Sequence, residues 1–168
     1  MSTLAVDAIQ DTTGNTAMTI DSSGRVLTPA RPAFRASHGS TLIAGGNIMI
    51  FTDVTSGGNF NIGNHYSTVT GRFTVPIAGV YQFSITGLYT HNSGTATFKG
   101  YWRKNATNQG VAYEYQNSAL NNSYDTIGTS TVLINCAVGD LIDLWNETGA
   151  GSMHISSIQT KLCGHLIG

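Results

Sequence analysis

The chain has 168 residues, 10% of them charged against roughly a quarter in ordinary soluble domains, and a formal net charge of −1. Lys and Arg total 8 and form no dense run, which excludes charge attraction to nucleic acid as the basis of function. No apolar run is long enough for a membrane-spanning helix.

Twenty glycines, with polarity supplied by Thr, Ser and Asn, are the balance of a turn-rich β protein of one domain plus an appendage. Met1 to Ala17 has neither a basic start nor an apolar block, so no signal peptide is expected and synthesis is placed in a cytoplasm.

Residues 1–30 differ in character from the rest. Leu4, Val6 and Ala8 alternate, Thr13-Gly14-Asn15 reads as a turn, Ala17 to Ile20 as a short extended piece, and Ser22-Ser23-Gly24 as a second turn before Val26-Leu27. Pieces this short cannot bury a core alone. They are expected to borrow apolar surface from symmetry mates or from another protein, through Leu4, Val6, Ile9, Met18, Ile20, Val26 and Leu27. Pro29 and Pro32 mark the boundary, leaving 31–168 as the main domain.

Within that domain Ala33-Phe34-Arg35-Ala36 predicts a first strand and Asn47 to Val54 a second. The glycine loop over 56–59 lacks the helix and lysine a phosphate site requires. Tyr66 to Tyr89 predicts two strands joined by a tight turn. Val69, Gly71, Phe73, Val75 and Ile77 share one face, Pro76 ends the first strand, and Tyr81, Phe83, Ile85, Gly87 and Tyr89 share a face of the second. Such a pair is expected in the middle of a β-sandwich.

Ala96 to Lys104 is a further strand, Asn105 to Gly110 a polar turn, and Val111, Tyr113 and Tyr115 mark the next strand. After the Asn-rich stretch 116–125, Thr129 to Val138 and Leu141 to Trp145 are strands on either side of Gly139-Asp140, and Lys161 to Ile167 closes the chain. Cys136 and Cys163 sit in apolar strand patterns and read as small buried thiols, with a disulfide as the alternative that a cytoplasmic origin disfavours.

Phe73, Gly79, Tyr81 and Phe83, with Asn61 and Tyr66 upstream, resemble the central phrase of the complement C1q globular-head family, which shares a jelly roll with the tumour necrosis factors. Strand, Gly139-Asp140, strand resembles a second phrase, and Lys161 to Ile167 the last strand. Two places depart: Thr55 stands where a Phe is expected, implying a small insertion among Thr55 to Gly58, and Ile85 replaces an aromatic. The implied fold is an all-β antiparallel sandwich jelly roll with a short extended β arm before it. Residues 1–30 resemble the N-terminal segments of bacteriophage fibre and appendage proteins.

The resemblance implies a homotrimer. Tyr101, Leu141 and Trp145, on strand faces opposite the expected core, are its candidate interface. Five histidines show no metal spacing, and Asp53, Glu114, Asp125, Asp140, Asp143 and Glu147 are dispersed, so no enzyme, cofactor or metal site is expected. Calcium enters by family analogy alone, with Asp53, Asp125 and Asp143 as donors.

The function these readings imply is a non-catalytic virion protein of a bacteriophage. It is a trimeric fibre or appendage head, held to another virion protein by residues 1–30 and presenting loops to a host-surface glycan or protein. Candidate contacts are His91, Asn92, Asn117, Asn121, Asn122 and Tyr124. The alternatives are a capsid decoration, cement or tail-joint protein, and a bacterial carbohydrate-binding protein outside any virion.

Overall fold

The structure, a computed structural model, describes residues 6–28, 30–39, 41–90, 96–117, 124–147, 153–155 and 160–167. For 41, 42, 88–90, 96–98, 115–117, 124–128 and 153–155 the backbone alone is described. The chain divides into two compact units, Met1–Arg31 and Pro32–Gly168.

The first unit is a three-stranded antiparallel meander of β1 (Ala8–Gln10), β2 (Thr16–Ile20) and β3 (Val26–Leu27), in that order. The second is a sandwich of two antiparallel sheets built from β4 (Ala33–Ala36), β5 (Thr41–Ile43), β6 (Asn47–Ile48), β7 (Phe60–Ile62), β8 (Tyr66–Ser67), β9 (Arg72–Thr74), β10 (Gly79–Thr90), β11 (Ala96–Lys104), β12 (Thr107–Asn117), β13 (Tyr124–Cys136), β14 (Leu141–Asn146), β15 (Met153–Ile155) and β16 (Lys161–Leu166). One sheet has the order β5-β15-β10-β16-β4-β7, with β13 also paired to β10. The other has the order β12-β11-β14-β9-β8, with β6 also paired to β14.

Aromatic rings from both sheets meet between them. Phe34 stacks on Tyr66 at 4.6 Å and 8°, and on Phe73 at 5.3 Å. Phe83 reaches Phe73 edge-on at 5.7 Å and Trp102 at 6.2 Å. Phe34 and Phe83 belong to the seven-stranded sheet and Tyr66, Phe73 and Trp102 to the six-stranded one, so the rings join the layers. Rings in offset and edge-on contact add to their area burial. Met49, Phe51, Tyr81, Ile85, Ile142, Leu144 and Leu162 pack in the same core.

The stretch from Tyr66 to Tyr89 differs from its expectation in one important respect. Its two strands are not a hairpin: β9 pairs with β8 and β14 in one sheet, whereas β10 pairs with β13, β15 and β16 in the other. The inward faces are as expected for Gly71, Phe73, Val75, Tyr81, Phe83, Ile85 and Gly87, because both strands face the same core from opposite sides. Val69 and Ile77 are exposed instead. Val75 N–H still bonds Asp140 C=O (2.9 Å), after which Pro76, lacking a donor, releases the chain. A few extended residues span the roughly 10 Å between packed sheets.

A similar crossing replaces the single strand expected over Asn47 to Val54. Asn47 and Ile48 pair with β14, Met49 N–H bonds Leu144 C=O, and Asp53 bridges to Ser37 beside the other sheet. The expected turn over Asn105 to Gly110 shrinks to Asn105 and Ala106, both with positive φ (50° and 63°), as a two-residue hairpin requires. Bulges beside Tyr101 and Arg103 then shift the register, so Ala112 and Tyr113 are both buried while Val111 faces solvent. β13 runs from Tyr124 to Cys136, leaving Val138 in the following turn and exposed rather than in the strand. Thr55 to Gly58 form a local turn, its amides at 55 and 56 accepted by Asp53 Oδ1.

Gly164 is where the rings require a missing side chain. A Cβ there would lie 2.5 Å from Phe34 and 2.6 Å from Phe83. Gly164→Ala is expected to cost about 1–3 kcal/mol of unfolding free energy through overpacking. Gly110→Ala, with nothing within 4 Å, should be neutral or stabilising by up to about 1 kcal/mol. Urea denaturation of both variants measures the contrast, and equal effects would contradict this packing.

Candidate functional site

The strands leave two outward faces. On the six-stranded sheet, Tyr101 of β11 lies directly opposite Trp145 of β14, which lies opposite Ile48 of β6, with Leu141 on the same face. These aromatics are half-buried within a single chain because their neighbours fold over them. The Arg103 guanidinium sits 4.1 Å above the Trp145 ring, and the Lys99 ammonium 5.5 Å from the Tyr101 ring. Tyr101 O–H donates to Glu147 at 3.3 Å.

Beside this row lies a buried ion cluster. Asp143, at 3% exposure, accepts from Arg103 Nε at 2.6 Å and from Arg72 Nε at 3.3 Å. A carboxylate held between two guanidinia is satisfied while both remain.

The outward face of the seven-stranded sheet is different. Cross-strand partners form one row of Leu133, Gln82, His165, Ala33 and Ile62, and a second of Thr131, Ser84, Cys163, Arg35 and Phe60. Val80 and Ile167 extend it. Phe60, Ile62, Val80, Leu133 and Ile167 are all substantially exposed, Leu133 at 62%. Among the described residues of these rows no carboxylate occurs, and the only unconditional cation is Arg35. None of these residues is among the interface residues expected from the sequence. Leu133 interrupts Val132, Ile134 and Cys136, and an apolar residue out of phase in a strand was the available signal.

Of the candidate recognition residues, Asn117 and Tyr124 are described, by backbone alone, at the ends of β12 and β13. Thr90 pairs with Tyr124 and Ala96 with Asn117, so the strand ends flanking both segments are paired. His91, Asn92, Asn121 and Asn122 lie outside the described residues, as does Leu4 of the arm. At the other end Asn105 binds Asp140 (2.7 Å) and accepts Leu141 N–H (2.8 Å), while Ala137 N–H donates to Asp140 (2.8 Å). The Ala137 amide, with Asn105 and Lys104, holds the Asp140 carboxyl below its ordinary range, the behaviour of a turn residue.

Nothing catalytic is assembled among the described residues. Asp53 is engaged by Thr55 and Ser56, Glu114 by Lys99 and Glu147 by Tyr101. No group of three or more His, Cys, Asp or Glu among the described residues is close enough to hold a metal ion. An open groove of about 490 Å³ is lined by Ile43, Ile48, Ile50 and Val69, with His38 its one titratable side chain among the described residues. Both cysteines are free. Burial pushes the Cys136 thiol up to about 11, making it a poor nucleophile at neutral pH.

Two packed antiparallel sheets with an aromatic core define the class, a β-sandwich. A C1q domain profile matches residues 33–167, and the chain belongs to the C1q domain family. Human complement C1q tumor necrosis factor-related protein 3 is 30% identical over 122 residues, a stretch covering 73% of this chain and 45% of that protein, so the match spans less than half of the relative. The globular domain of zebrafish complement 1qA protein superimposes with a TM-score of 0.55 at 15% identity, covering 82% of this chain and 98% of that one. Eiger TNF from S. frugiperda gives 0.54 at 13% identity, covering 82% and 94%. The jelly-roll fold is therefore shared across both groups. Domains of this family are generally non-catalytic.

Asp143→Asn should destabilise the fold by about 3 kcal/mol, since it leaves the buried Arg103 uncompensated. Urea denaturation with an unchanged m-value is the measurement. A loss under about 0.5 kcal/mol would mean the cluster behaves as an exposed pair.

Proposed function

We propose that this chain is a non-catalytic structural protein of a bacteriophage virion: a homotrimeric C1q-like head, carried on an N-terminal attachment arm and involved in host-surface recognition. The observation that carries the reading is the pairing of a separate small β unit, ending at Arg31, with a C1q domain. A unit of three short strands with Ile9, Ile20, Val26 and Leu27 exposed gains its stability by docking. C1q and TNF domains generally form trimers.

The face of the seven-stranded sheet suits that assembly better than Tyr101, Leu141 and Trp145. Tyr101 and Trp145 are already engaged by Lys99, Arg103 and Glu147 of their own chain. Phe60, Ile62, Val80 and Leu133 stay exposed, and the described residues of the two rows include no carboxylate and Arg35 as the one unconditional cation, which suits packing against like copies under closed symmetry. The recognition role is assigned to the end where Thr90, Ala96, Asn117 and Tyr124 flank the connecting segments. Segments that connect strands on a rigid sandwich are where binding residues are commonly carried.

Light scattering should give a mass near three times 17.8 kDa. Leu133→Asp should lower the trimer association constant at least about a hundredfold, leaving a folded monomer by circular dichroism, while Trp145→Ala leaves the trimer intact. Host cells pre-incubated with the purified protein should resist phage adsorption. Unchanged adsorption at saturating protein would remove host recognition, and absence of the chain from purified particles would remove the virion assignment.

A further inference from the structure

The N-terminal unit repeats one turn. Asp11-Thr12-Thr13-Gly14-Asn15 and Asp21-Ser22-Ser23-Gly24-Arg25 are closed identically: each Asp Oδ1 accepts the amide two residues on (2.8 Å from Thr13, 2.9 Å from Ser23) and four residues on (2.9 Å from Asn15, 3.0 Å from Arg25). Gly14 and Gly24 supply the positive φ, 89° and 76°. A turn closed by its own side chain fixes the strand register locally.

That register sorts the arm's side chains. Ile9 lies opposite Met18, Ile20 lies opposite Val26, and Met18 and Ile20 are two apart on β2, so all four share one face. Ala8, Thr19 and Leu27 share the other. Asp7, whose carbonyl accepts Ile20 N–H, is the charged residue on the four-residue face, and it lies beside edge strand β1. Ile9 is 49% exposed and Val26 59%.

We propose that this face packs against the same face of two further copies of the chain, closing three arms around one threefold axis. The proposal rests on the trimer of the preceding section. What selects copies of this chain as the occupant is the tether: between Leu27 and Ala33 lie about five residues, reaching no further than about 20 Å. In a trimer of heads the three arms are therefore confined to a common volume and meet at an effective concentration in the millimolar range. A foreign protein has no such advantage, and the arm offers little charge to steer one. Asp21 is paired with Arg25 at 2.6 Å, and Asp11 is consumed by its own turn.

The test uses the full chain with Cys163→Ser and either Met18→Cys, on the proposed contact face, or Thr19→Cys, on the opposite one. Cys136 stays, being buried with its thiol pushed up to about 11. Under mild oxidation at micromolar concentration, the Met18→Cys chain should form disulfide-linked dimers on a denaturing gel at least about fivefold faster than the Thr19→Cys chain, with a trimeric mass in both before oxidation. A trimeric mass with no difference between the two variants overturns the arm contact and leaves the trimer standing. A monomeric mass overturns the trimer, and the arm contact with it.

Discussion

The rings of Phe34, Tyr66, Phe73, Phe83 and Trp102 can interleave between the sheets only because Gly164 presents no side chain to them. Gly164 pairs with Phe34 on one side and Phe83 on the other, in the centre of three adjacent strands. A Cβ there would push both rings toward Phe73, the residue that ties in the opposite sheet. The position of the six-stranded sheet, and so of Asp143, Arg103 and Trp145 on its far side, follows from this one vacancy in the packing.

With the core settled, the two outward faces acquire opposite characters from the same rule of alternation. On β11 and β14 the out-of-phase residues are Lys99, Tyr101, Arg103, Asp143 and Trp145, which satisfy one another through ion pairing and cation–π contact. On β7, β10 and β13 they are Phe60, Ile62, Val80 and Leu133, which stay exposed. A face that completes its own interactions has little to gain from association, and a face that does not is where association lowers free energy. The arm repeats the contrast on a smaller scale: its aspartates are consumed by turns, its isoleucines and valine are left over.

Much of this was legible in the chain. Apolar residues spaced by two mark Phe73, Phe83 and Trp102 as inward-facing, and Pro76, Asn105 and Gly139-Asp140 stand as punctuation between strands. The same spacing, with Gly79 and Tyr81 in place, was enough for the C1q resemblance that the family match over 33–167 bears out. Alternation does not say which sheet a strand joins. The pattern of β9 and β10 therefore fits a hairpin as well as it fits two strands facing each other across the core, and the bulges beside Tyr101 and Arg103 that turn Ala112 inward leave no mark in it.

The sequence by itself determined what is local: strand faces from the two-residue period, turns from Asp, Asn, Gly and Pro, and the family from three phrases in order. Only the tertiary structure decided what is collective. It brought Arg72 and Arg103 onto Asp143 across strands distant in the chain, aligned Leu133 with Ile62 over five strands, and left that row uncovered while covering Tyr101 and Trp145. Such pairings depend on sheet membership and register, which are set by how all the rings pack at once and not by any residue's own preference.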